Sequence, residues 1–312
     1  MAHEEYPVPK IGILSVGDMG ADTVERARSA NVELLASDLE LVQQCTVILS
    51  VVPPRDAEAT AQRIIDALAG GSRKGILYFA DLNAVSPGTA KTTAASFEKA
   101  RVPVVFIDGC ILGGPPRPKA SADPGTNGIK STGDDDESDW VRPRIPISGP
   151  QSLSSLPHGE RLASVLNLRS ISPDIGAASG LKMCFAAMTK GYTAIATQSF
   201  ATAHRLGVAD DLRAEMAHLS PAHLATAERA VPSMVPKAYR WVREMEEIAA
   251  TMSGEGGWAR ELFDGAAGVY RSVAEDEVLG GEKTGKRVRG TTLEDVSAAM
   301  AEGLERKRKK TG

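Results

Sequence analysis

The chain has 312 residues, 42% of them hydrophobic and 24% charged, with a formal net charge of −4. That length accommodates two domains with sizeable cores, and so weak a charge gives no global case for nucleic acid or an anionic membrane surface. No run of about 18 apolar residues is present, and the opening MAHEEYPVPK is no signal peptide. Cys45, Cys110 and Cys184 are scattered and odd in number, so they are expected to be buried, reduced thiols of a cytoplasmic protein, with no disulfide frame and no metal site.

In chain order, residues 10–20 (KIGILSVGDMG) come first, a strand at 10–16 running into S-x-G-x-x-G. Such glycines let a backbone approach a pyrophosphate seated on a helix N-terminus. Ser15, Val16, Gly17, Asp18, Met19 and Gly20 are therefore candidate cofactor-binding residues, although Ser15 stands where the fingerprint has its first glycine. A full βαβ unit continues with an apolar helix, a second strand and a ribose-reading residue about 20 positions on. Here residues 21–30 (ADTVERARSA) are apolar only at Ala21, Val24, Ala27 and Ala30, and look like the helix that follows a second strand. NVELL (31–35) reads as a short strand and SDLELVQQ (37–44) as a helix, leading directly to a buried strand at 47–52. About 20 to 30 residues are thus expected to be absent relative to a complete unit, namely its first helix, its second strand and the residue that separates NAD from NADP.

Further strands are expected at 76–80, 103–107 and 145–148, with helices at 56–69 and 88–100, the alternation of a mostly parallel α/β sheet. SVVPP (50–54) and DLNAVSP (81–87) follow strands at the carboxyl edge, where open sheets bind ligands. Val52, Pro53 and Asn83 would line a cofactor crevice there, or serve only as turn formers. FIDGCILGGPP (106–116) puts Gly113 and Gly114 at the same edge, to offer backbone N–H groups to a substrate or simply to turn the chain. The Gly/Pro/Asp-rich stretch 115–143 reads as a mobile surface insertion. Its faint calcium-loop echo (123–134) fails at Gly125 and Asp134.

From residue 175 the character changes. GAASGLKMCFAAMTKGYTAIATQSFATAHRLGV is apolar on nearly every face, which predicts one buried helix of about 30 residues. A buried lysine must be paired or used, and Lys182 is the candidate for proton transfer. Lys190, on the same face, is expected to snorkel to solvent, and His204 to sit in a core or interface. Helices at 221–231, 236–252 and 256–275 follow, broken at Pro232 and Pro236. The tail opens with Thr291 and Glu294 at capping-box spacing and closes in ERKRKK, a solvated cationic helix end.

Taken in order, DLNAVSP, DGCILGGPP, SGLKMCFAAMTKGYTAIAT and KAYRWVREMEEIAATM resemble the β-hydroxyacid dehydrogenase superfamily over residues 10–274. That superfamily includes 6-phosphogluconate and 3-hydroxyisobutyrate dehydrogenases, and the nearest likeness is to the branch with an NAD-binding phosphogluconate dehydrogenase C-terminal domain. The resemblance implies a Rossmann-like NAD(P)-binding domain (1–174), missing its first helix and second strand, then an all-helical substrate and dimerisation domain (175–312). It implies NADP or NAD as cofactor, a small hydroxy acid bound between the domains near Lys182, and a homodimer. The family's G-x-G-x-x-x-K pattern falls on Gly176, Ala178 and Lys182, giving Lys182 the substrate hydroxyl's proton while hydride leaves for the nicotinamide.

The chain departs from the family in three places. Leu112 replaces a serine before Gly113 and Gly114, Phe185 and Ala186 occupy the turn that usually holds an asparagine, and Arg243 or Glu244 stands where a lysine is common. No Arg/Lys cluster adjoins these motifs, which disfavours a sugar phosphate. An imine or ketone reductase, and a truncated inactive dimeric binding protein, are the alternatives.

Overall fold

The computed structural model describes residues 9–14, 33–119, 140–283 and 285–311. The glycine turn at 15–20, the segment 21–30 and most of the insertion expected to be mobile lie outside the described residues. The chain forms two compact units, Met1–Lys182 and Met183–Gly312, the second starting eight residues after the expected start at 175.

In the first unit the elements are β1 (Ile11–Leu14), α1 (Asp38–Gln44), β2 (Val47–Ser50), α2 (Ala57–Ala69), β3 (Leu77–Asp81), α3 (Pro87–Ala100) and β4 (Val104–Gly109). Then come β5 (Arg117–Pro118), β6 (Trp140–Val141), β7 (Ile145–Ser148), α4 (Gly159–Leu166) and β8 (Leu168–Ser172). The main sheet has the order β1-β2-β3-β4-β7-β8 and is parallel except between β4 and β7. Strands β5 and β6 pair with each other, so the ends of the expected loop insertion form a small antiparallel ladder. Apolar residues pack both faces of the sheet. Ile48, Leu77, Phe79 and Phe106 of the sheet pack with Ile64 and Phe97 on one side, while Leu49, Ala80, Ile107 and Ile147 gather with Leu153 and Leu162 on the other.

Strand β1 is an edge. Among the described residues it pairs with β2 alone, and Ile11 and Ile13 are 41% and 61% exposed while Leu14 is buried. The strand expected at 31–35 does not form over residues 33–35, and 31–32 lie outside the described residues. Capping explains this: Ser37 Oγ accepts from Glu40 N at 3.2 Å, and Glu40 Oε2 accepts from Ala36 N at 2.9 Å, so the chain is already starting α1.

Helices make up the second unit: α5 (Ala177–Leu206), whose first turns belong to the first unit, then α6 (Ala209–Leu219), α7 (Pro221–Met234), α8 (Ala238–Gly254), α9 (Glu261–Ala274) and α10 (Leu293–Thr311). Helix α5 has the expected length but is not buried all round. Leu181, Phe185, Met188, Ile195 and Leu206 are exposed at helical spacing. His204 is exposed too, as is Cys184, while Cys45 and Cys110 are buried. Pro232 lies inside α7, and the break comes at the 3-10 turn Val235–Lys237. At the start of α10 the cap is Thr292, whose Oγ1 accepts from Asp295 N at 3.1 Å, one residue beyond the expected Thr291 and Glu294. Among the described residues, no helix is long and apolar enough to cross a membrane.

Candidate active site

Parallel pairing sets the last residues of β2 and β3, Ser50 and Asp81, in one row with Asp108 of β4, and the row continues through Ser148 to Ser172. This polar line, buried from Ser50 to Ser148, runs along the carboxyl edge of strands β2 to β4.

Asp108 is fully buried. Its Oδ2 accepts from Ser148 Oγ at 2.8 Å, Gly176 N at 2.9 Å and Ser179 N at 3.1 Å, and its Oδ1 accepts from Ser179 Oγ. Ser148 Oγ in turn accepts from Ala178 N at 3.0 Å. One carboxyl and one hydroxyl thus meet the N–H groups that the start of a helix leaves without intrahelical partners, and the acid complements the helix dipole. Gly176 has φ +101, and a Cβ there would stand 3.1 Å from Pro87 Cβ, so the approach requires glycine.

Lys182 lies on α5 just after this cap. Its Nζ donates to the Ile111 carbonyl at 2.7 Å, tying the helix to the loop after β4. The loop is fixed on its other side by Leu112, which exchanges two backbone hydrogen bonds with Arg144, at 2.8 and 2.9 Å. Gly113 follows with φ +114, and both Gly113 and Gly114 are exposed. Burial pushes the Cys110 thiol up to about 12, against the pull of the nearby Lys182 charge.

Asn83 is engaged by the protein on three sides. It is buried, its N–H donates to Asp81 Oδ1 at 3.0 Å, its Nδ2 donates to Ser50 Oγ at 3.0 Å, and its Oδ1 accepts from Val52 N at 2.7 Å. The residue therefore clamps the end of β2, where Val52 and Pro53 are half-buried. Asp81 is 2% exposed and its Oδ2 has no partner among the described residues. Burial pushes its carboxyl up to about 7, Asp108 adds to the rise, and the hydrogen bonds from Asn83 oppose it.

Residues 15–20 of the expected cofactor turn lie outside the described residues. Phe185 is 48% exposed on α5. Lys190 does not snorkel: it is ion-paired to Glu244 of α8, and its ammonium lies 4.7 Å from the centre of the Trp241 ring. Among the described residues, no group of three or more His, Cys, Asp or Glu could hold a metal ion. The sequence resemblance marks Asp108 only as the start of the substrate loop Asp108–Gly114, and Asp81, Ser148 and Ser179 carry no mark of their own. The usable signal was the repetition of strand ends, Phe-x-Asp at 79–81 and 106–108, and a terminal serine in VILS and IPIS.

Residues 203–273 match the family described as Domain of unknown function (DUF1932). No curated protein matches the sequence. Among solved structures, a conserved hypothetical protein from Sinorhizobium meliloti is 19% identical, with 96% of this chain and 98% of that one covered and a TM-score of 0.61. A 3-hydroxyisobutyrate dehydrogenase from Mycobacterium tuberculosis, solved with L-serine, is 16% identical over 95% and 99% of the two chains, with a TM-score of 0.57. Another from Salmonella typhimurium is 18% identical over 94% and 99%, with a TM-score of 0.56. The fold is that of the 3-hydroxyisobutyrate dehydrogenases, and at the level of fold the likeness to the β-hydroxyacid dehydrogenase superfamily stands.

Proposed function

We propose that this chain is an NAD(P)-dependent oxidoreductase that oxidises the CH–OH group of a small hydroxy acid, or reduces the matching carbonyl. Lys182 is the proton donor and acceptor. The observation that carries this reading is the anchoring of Lys182 to the Ile111 carbonyl, beside the exposed Gly113 and Gly114 and at the carboxyl edge of a dehydrogenase-type sheet. The L-serine in the Mycobacterium tuberculosis relative supports a small β-hydroxy acid as the substrate class.

The cofactor, when bound, supplies hydride transfer at its nicotinamide. Val52 and Pro53, held by Asn83, suit the nicotinamide half. The shortened unit lacks the residue expected to read the ribose of the adenosine half, so discrimination between NADH and NADPH is weak. Leu112, Gly113 and Gly114 are the substrate contacts of the first unit. The exposed apolar stripe of α5, with Met188 78% exposed, supports a homodimer.

Replacing Lys182 by Met tests the reading. The expected result is a loss of roughly 10²- to 10⁴-fold in kcat with cofactor affinity kept; unchanged turnover would sink it. The apolar Leu112 and the half-exposed Phe185 favour a second reading, an imine or ketone reductase. Faster turnover of cyclic imines than of hydroxy acids would select it. No turnover of either class and no cofactor binding would leave the inactive dimeric binding protein.

A further inference from the structure

We infer that Asp81 is a positioning residue that works with its carboxyl protonated, holding Asn83 and through it the Val52 edge of β2, and that it releases them on ionising. Its place on β3 is the reason. The flanking strand β2 offers Ser50, a hydroxyl already engaged by Asn83, and β4 offers Asp108, a second carboxyl in direct register that already accepts four hydrogen bonds. The turn after β3 offers Asn83, whose N–H donates to Oδ1 at 3.0 Å and whose side chain also bears on the carboxyl. No cation is among the groups that bear most on the Asp81 carboxyl, which are Asn83 and Asp108. A buried oxygen without a donor, next to another carboxyl, cannot carry a charge cheaply, so the neutral acid is the low-energy form. Burial and the Asp108 charge raise the carboxyl to about 7, which puts its ionisation within the physiological range.

On ionising, Asp81 places a second negative charge beside Asp108, and relief comes by swinging its oxygens toward water. That movement breaks the bond from Asn83 N and loosens the holds of Asn83 on Ser50 and Val52. The consequence for cofactor binding rests on the proposed function. Protonation and the clamp do not, so both are tested without cofactor.

Infrared spectra of the full chain labelled with ¹³C-aspartate should keep one protonated-carboxyl band at about pH 6, where ordinary aspartates are ionised. The band should fade through neutrality and be missing from Asp81→Asn, the neutral isostere. Hydrogen exchange should show Val52 amide protection, relative to Asp81→Asn at the same pH, falling by up to about tenfold per pH unit from about pH 4 up to the midpoint and staying level above it. A wild-type spectrum with no protonated carboxyl at that pH overturns the inference, and needs no variant to fold. A band that persists in Asp81→Asn, or Val52 protection that tracks the variant at every pH, overturns it equally. Failure of NADH or NADPH to bind at any pH would count against the proposed function alone.

Discussion

Two buried carboxyls on neighbouring strands meet opposite fates. Asp108 accepts four hydrogen bonds from the start of α5 and from Ser148, whereas Asp81 receives one and keeps an oxygen without a partner. Asp108→Ala would orphan several buried donors, and a loss of roughly 3 kcal/mol or more is expected in urea unfolding. For Asp81 the sign runs the other way. Its carboxyl rises from the ordinary 3.8 to about 7 in the folded chain, so between those values the folded state holds a proton the unfolded state has lost. Its contribution to stability is therefore full below about pH 4, falls as pH rises toward 7, and stays low above it, a difference on the order of 4 kcal/mol. Unfolding of wild type and Asp81→Asn at several pH values checks this, since the variant should lack that slope. Lysines 182 and 190 could be picked out as neighbours on one helix face, but the ion pair of Lys190 with Glu244 depends on how α8 packs, which no local pattern encodes. Likewise Asn83 advertises a ligand contact by its position, yet its three bonds are fixed by strand register, which only the fold supplies.

Elements with strong local signals were legible. Strands ending at Ser50, Asp81 and Ser148 and the helix after Ser86-Pro87 follow from apolar runs and capping chemistry. Helix α4 and strand β8 were not legible, because both are short and half-exposed and are stabilised by tertiary neighbours, with Asn167 in the left-handed region turning one into the other. On α5, the same density of alanine and large apolar residues that predicts burial leaves a bare stripe, because composition does not say which faces find a partner. The α10 cap offers a sharp check. Thr292→Ala should cost about 1 kcal/mol in thermal unfolding and Thr291→Ala close to nothing, since only Thr292 accepts from the Asp295 N–H.

At the scale of the molecule, the chain divides into two units of different character, and the first carries a mostly parallel six-stranded sheet in which β1 pairs with β2 alone among the described residues. The exposed apolar stripe of α5 predicts self-association. Sedimentation velocity should show a dimer, and Met188→Glu with Ile195→Glu should shift it to monomer, each charge being costly to bury in an apolar contact. Titration of the purified chain with NADH and with NADPH, followed by nicotinamide fluorescence, bears most directly on the whole account. Saturable binding of both is expected, with Kd values within about tenfold of each other and unchanged in Lys182→Met. Absence of saturable binding by either nucleotide would contradict it.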